Sequence, residues 1–202
     1  MKALLLIVFL SIASLGRAQS LPVYEVKIQG DDHFPKAIRF LCSQKYAQQH
    51  CLRDVITLQL ILGRYPVANL GTWNFALASS DEWSDLVRSL AGITGSPAFS
   101  VWENRTTVLE EALFSASGRR RAELIRMFGK ADEVLLEQAV SHELGHVLCG
   151  ESNENRAARN GQDLFVGKTL VCHASTQLPS VEAKPHELPY MWNASRRKRN
   201  HP

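Results

Sequence analysis

The run His142-Glu143-Leu144-Gly145-His146 sets two imidazoles four residues apart, with a carboxylate directly after the first. On an α-helix, residues i and i+4 project in the same direction, so both rings can reach one divalent ion, at ~2.0–2.1 Å if that ion is Zn2+. Glu143, one step around the helix, can then touch a water at the ion without being a ligand itself. The spacing means this only on a helix, and the flanking residues predict one independently of the motif. Leu135, Leu136, Ala139, Val140, Leu144, Val147 and Leu148 are apolar at helical spacing. The helix is therefore expected to be buried, from about Asp132 to Cys149, with Gly150 as its stop. Three polar side chains inside an apolar stretch need compensation, and a metal supplies it. "HELPY" at His186–Tyr190 is an internal control. It repeats His-Glu-Leu, but Tyr190 stands where the second His would be, and Pro185 and Pro189 disfavour a helix, so it reads as tail.

Over the segment from Asp132 to Leu164 the chain resembles the zincin zinc metallopeptidases, whose active-site helix carries a "HELGH"-type motif. The resemblance implies that His142 and His146 bind Zn2+ and that Glu143 is general base and proton shuttle. It also implies a peptide or protein substrate, and an α+β single domain in which a small mixed sheet packs on the active-site helix. An edge strand of that sheet would align the substrate, and "AFSVWEN" is the candidate. The third ligand separates the branches of the family. The metzincin pattern needs Gly and His where this chain has Cys149 and Ser152. The gluzincin branch takes a Glu from a following helix, with a small residue three places on, and Glu154 with Ala157 resembles this. The connection from Gly150 to Asn153 is short for that branch, and Gly150 permits the sharp reversal it requires. Glu151, in the turn, and His173, downstream, stay open as alternatives. Tyr190 and His173 are oxyanion-stabilising candidates by position. Two other functions stay open beside peptidase activity: a non-catalytic exported zinc-binding protein, and a zinc amidase acting on cell-wall peptides.

Around this centre the chain has 202 residues, 45% hydrophobic and 21% charged, an ordinary globular composition. Residues 1–18 read as a signal peptide: Lys2, an apolar run from Ala3 to Leu15, and small residues at Gly16 and Ala18 before cleavage. Residues 19–173 are expected to form the metallopeptidase domain and 174–202 a flexible basic tail. The formal charge of +3 becomes +1 without Lys2 and Arg17, and −3 without Arg196, Arg197, Lys198 and Arg199 as well. The basic balance therefore belongs to the tail and gives no reason to expect nucleic-acid binding. No span of the mature chain is apolar enough to cross a membrane. Cys42, Cys51, Cys149 and Cys172 all lie in the exported part, where an even count predicts two disulfides. Proximity favours Cys42–Cys51 and Cys149–Cys172 among the three pairings, which makes Cys149 a clamp on the metal helix rather than a ligand.

The remaining elements follow from period and punctuation. "LPVYEVKI" reads as a strand and "HFPKAIRFLCSQKYAQQHC" as a helix, from Ala37, Phe40, Leu41 and Tyr46. Leu58, Leu60 and Leu62 at period two favour a strand over Val55–Leu62, with a buried helix as the alternative. "GRYPVANLG" reads as loop. "TWNFALAS" alternates as a strand, Trp73, Phe75 and Leu77 facing one way, and Ser80 can cap a helix reaching about Leu90. "AFSVWEN" and "TTVLEEALF" read as strands joined at Asn104-Arg105, "GRRRAELIRMF" as a short basic helix, and Ser152 or Asn153 as the cap of a helix reaching about Leu164. The whole is mixed α+β, sheet early and helices late.

Overall fold

A computed structural model describes residues 23–28, 34–90 and 95–172. The signal segment, the basic tail, His173 and Tyr190 lie outside the described residues. The fold is mixed α+β, as expected, and its sheet has five strands: β1 (Val23–Val26), β2 (Ile38–Ser43), β3 (Trp73–Ala78), β4 (Ala98–Val101) and β5 (Thr106–Glu110). They lie in the order β1-β2-β3-β5-β4. β2, β3 and β5 run parallel to one another, while β1 and β4 are antiparallel edges.

Strand alternation divides the core. Trp73, Phe75 and Leu77 of β3 join Ile38, Phe40 and Cys42 of β2 in the larger cluster. Ala76 and Ala78, on the opposite face, pack beneath Trp83, Leu86 and Val87 of α2 (Ser80–Leu90). The larger cluster is completed by apolar residues of α1 (Gln48–Leu62), α3 (Arg119–Phe128), α4 (Leu135–Val147) and α5 (Glu154–Phe165). The metal-motif helix therefore packs into the sheet's main core. Truncating its buried Leu144 to Ala is expected to cost about 2–5 kcal/mol.

Two expectations are corrected. The segment expected to be helical over residues 33–51 contains β2, and helix begins only at Gln48. Ile38, Phe40 and Cys42 are buried at period two, and β2 is held between β1 and β3, so sheet pairing overrides the helical spacing of Phe40 and Leu41. The segment Val55–Leu62, favoured as a strand, is the body of α1. Leu58 and Leu62, an i,i+4 pair, are fully buried, whereas Leu60 is 69% exposed on the opposite face. A period-two reading counts Leu60 as inward, whereas the helical period turns it outward.

Smaller differences lie at element ends. "VANL" forms a 3-10 turn inside the expected loop, α2 begins at Ser80 itself, and Asp132–Val134 form a 3-10 turn before α4. Glu111 leaves β5 for a 3-10 turn. Both disulfides are those that proximity favoured: Cys42–Cys51 ties β2 to α1, and Cys149–Cys172 ties the end of α4 to the segment after α5. Two disulfides fit an oxidising, extracellular setting. Among the described residues no helix is long and apolar enough to cross a membrane.

Candidate metal centre

The site is built where α4 stops and α5 starts. Gly150 adopts φ 60, the left-handed conformation that glycine takes without strain. The N–H of Glu151 then bonds back to the carbonyl of His146 at 2.9 Å, closing the helix end. Asn153 starts the next helix by accepting the N–H of Arg156 on its side chain at 3.1 Å. Three residues thus separate Gly150 from Glu154, and the chain reverses.

How closely the two helices pack is decided by missing side chains. A Cβ on Gly145 would lie 2.3 Å from the carbonyl oxygen of Ala157 and 2.7 Å from the backbone nitrogen of Gly161. One on Gly161 would lie 2.7 Å from His142 Cα. Neither position accepts a side chain without moving a backbone. Ala157 is wholly buried between them, and Asn160 Nδ2 donates to the carbonyl of Gly145 at 3.2 Å. Glu154, Ala157 and Gly161 share one face of α5, so the small pair brings the carboxylate onto the histidines.

Three of the expected residues come together there. His142 Nε2 lies 3.3 Å from Glu154 Oε2, His146 Nε2 lies 3.4 Å from the same oxygen, and the two ring nitrogens are 3.3 Å apart. The three atoms form a nearly equilateral triangle. Ligands at ~2.0–2.1 Å from a tetrahedral Zn2+ stand about 3.3–3.4 Å from one another, so the sides match one face of that tetrahedron. A charge-assisted hydrogen bond would be shorter, roughly 2.7–2.9 Å. Among the described residues this is the group of His, Cys, Asp and Glu side chains able to hold a metal ion.

Within this cluster the side chains shift one another's titration. Burial opposes a charge on His146, but the contact with Glu154, the charges of Glu143 and Glu154, and the bond to the Glu151 carbonyl raise its pKa to about 9. Burial likewise pushes the Glu154 carboxyl up, yet His142 and His146 hold it well below the usual carboxylate range. His146 Nδ1 is 2.7 Å from the Glu151 carbonyl oxygen. That bond fixes the ring and places the proton on Nδ1 in the neutral tautomer, leaving Nε2 with the lone pair a metal needs.

Glu151, an open alternative for the third ligand, does different work. Its side chain is buried, with both oxygens taken: Oε1 accepts the N–H of Asn153 at 2.7 Å and Arg156 Nη2 at 3.0 Å, and Oε2 accepts Arg156 Nε. The bond from Arg156 is the main cause of its lowered pKa. Glu151 holds the turn, and its carbonyl orients His146. Cys149 is engaged in its disulfide, while His173 falls outside the described residues.

Glu143 is 5% exposed and points toward the sheet, where its Oε2 accepts a hydrogen bond from Ser100 Oγ on β4 at 2.8 Å. Sequence reasoning missed Ser100, Arg156 and the packing roles of Gly145 and Gly161. The Ala157–Gly161 spacing of i,i+4 is a local signal that could have found the small-residue face, whereas the Ser100 contact joins residues 43 positions apart and leaves none. No protein-family model matches the chain, and searches of curated proteins and of solved structures likewise gave no match.

Proposed function

We propose that this chain is an exported zinc metallopeptidase in which His142, His146 and Glu154 hold Zn2+ and Glu143 moves the proton. The observation that carries the reading is the triangle of two imidazole nitrogens and one carboxylate oxygen at 3.3–3.4 Å, built against an HExxH helix that also carries the carboxylate of Glu143. Zn2+ held by three protein ligands supplies a Lewis acid with one further coordination position, and it acidifies water to a pKa of about 7. Glu143 takes a proton from the attacking water and delivers it to the leaving amine nitrogen. His146 stays oriented through the Glu151 carbonyl, and the α4–α5 contact keeps Glu154 within reach. β4, an antiparallel edge strand beside Glu143, offers unpaired backbone groups to an extended peptide.

The test pairs zinc content with cleavage of an unstructured protein. Glu143→Ala is expected to keep zinc and lose cleavage, and Glu154→Ala to lose zinc. A wild-type protein that takes up no zinc in its oxidised form overturns the proposal. Zinc retention without cleavage of any peptide bond would favour the non-catalytic reading.

A further inference from the structure

The contact between Glu143 and Ser100 is the end of a longer chain. Ser100 Oγ lies 2.9 Å from Oγ1 of Thr107, its register partner on β5. Thr107 Oγ1 in turn accepts the indole N–H of Trp73, on β3, at 3.0 Å. Trp73, Thr107 and Glu143 are buried and Ser100 is partly buried, so most of the chain runs through low-dielectric surroundings that strengthen its bonds.

The two ends of the chain fix its direction. An indole N–H can only donate, and an ionised carboxylate can only accept. Each hydroxyl between them carries one proton. The Ser100 proton goes to Glu143 Oε2, so the Thr107 proton goes to Ser100 Oγ, and the Trp73 N–H goes to Thr107. Every proton in the chain points toward Glu143.

We infer that Ser100, backed by Thr107 and Trp73, is a positioning residue that dedicates Oε2 of Glu143 to the sheet and leaves Oε1 as the oxygen that takes and returns the reaction's proton. This rests on the metallopeptidase reading. A hydroxyl whose own proton is already directed at the carboxylate cannot receive a second one from it, so the chain is not an escape route for the proton that Glu143 carries. Three rotatable bonds separate a glutamate carboxylate from its backbone. Anchoring one oxygen to a strand fixes the remaining oxygen in the place where proton transfer demands precision.

The test uses the full chain loaded with zinc and compares Ser100→Thr with Ser100→Val, which share a shape and differ in the hydroxyl. Ser100→Val is expected to keep full zinc and a KM within about twofold while kcat falls by roughly ten- to a hundredfold. Ser100→Thr should recover kcat to within about threefold of wild type, because the donor is restored. Thr107→Val, which leaves Ser100 in place but removes its backing, should lower kcat by about three- to tenfold. A second readout avoids catalysis. In zinc-free protein the Ser100→Ala and Glu143→Ala effects on the unfolding equilibrium should be non-additive by about fivefold or more. Wild-type kcat in Ser100→Val, or additive effects in that cycle, overturns the positioning role while zinc-dependent cleavage by wild type stands. Absence of zinc-dependent cleavage in wild type overturns the underlying reading and this inference with it.

Discussion

The buried carboxylates of Glu110 and Asp54 and the part-buried carboxylate of Glu154 are closed in different ways. Glu110, at the end of β5, meets the guanidinium of Arg120 with Nε at 2.8 and 3.0 Å and Nη2 at 2.9 Å. Asp54, on α1, takes the Tyr46 hydroxyl at 2.8 Å and Arg53 Nε at 2.7 Å. Both are satisfied by strong donors at charge-assisted distances, as structural carboxylates must be. Glu154 instead faces two imidazole nitrogens at 3.3 and 3.4 Å, and the neutral His146, held through Nδ1 by the Glu151 carbonyl, turns its lone pair toward it. The first arrangement is finished by the protein itself. The second has the size and donor set of a site finished by a cation. Burial alone does not mark a functional carboxylate; the kind and distance of its partners do.

The comparison breaks most completely if α5 is moved. Gly161→Ala places a methyl 2.7 Å from His142 Cα, so the helices must part and Glu154 withdraw from the ring nitrogens. Zinc affinity is expected to fall by about a hundredfold or more, measured by competition with a chromophoric chelator. Unchanged affinity would show that the close α4–α5 contact does not set the ligand triangle.

The same contrast predicts opposite outcomes at Glu110 and Glu154. Glu110→Ala strands Arg120 and should destabilise the fold by about 2–4 kcal/mol in denaturant, slightly less than a fully buried pair because Arg120 is partly exposed. Its zinc affinity should not change. Glu154→Gln should cost the zinc-free fold roughly 1 kcal/mol or less, yet weaken zinc by about a hundredfold. Equal effects of the two substitutions on zinc would erase the distinction.

Arg156→Ala gives a smaller effect on zinc. It strands the buried Glu151 carboxylate on the Asn153 N–H alone, loosens the turn and relaxes the carbonyl that orients His146. Zinc affinity should drop about tenfold, and the fold should lose about 1–3 kcal/mol in denaturant.

Much of this design was legible in the sequence. The helix bearing His142 and His146, the stop at Gly150, a cap at Ser152 or Asn153 that Asn153 fills, and the shared face of Trp73, Phe75 and Leu77 each rest on local rules that the packed structure also obeys. Glu154 was reached through the resemblance of its helix to the gluzincin pattern, with Glu151 and His173 left open, and its carboxylate does lie beside both ring nitrogens. What escaped depended on partners distant in the chain. β2 is a strand because β1 and β3 flank it. Ser100 meets Glu143 because β4 is the edge beside α4. Gly145 had a place in the motif but no visible reason until Ala157 and Gly161 stood against it.

The smallest expected effect is in protons. His146, raised to about 9, is charged at pH 7 in zinc-free protein and must become neutral to bind metal. Zinc binding at pH 7 should therefore release about one proton from this residue, and almost none above roughly pH 10, read from the dependence of binding heat on buffer ionisation. The sign for stability is consistent with this. A pKa above the unfolded value of 6.5 gives a contribution to the zinc-free fold that is present below pH 6.5 and lost as pH rises through about 9. The depressed Glu154 contributes in the opposite sense, above its unfolded value of 4.5, and that part is lost on acidification.

X-ray absorption at the zinc edge, on protein loaded with one equivalent of Zn2+, reads the ligand set itself. Four light-atom ligands at ~2.0–2.1 Å are expected, two of them imidazoles, with one carboxylate contribution that disappears in Glu154→Ala. Sulfur at ~2.3 Å, three imidazoles, or a spectrum identical in wild type and Glu154→Ala would contradict that ligand set.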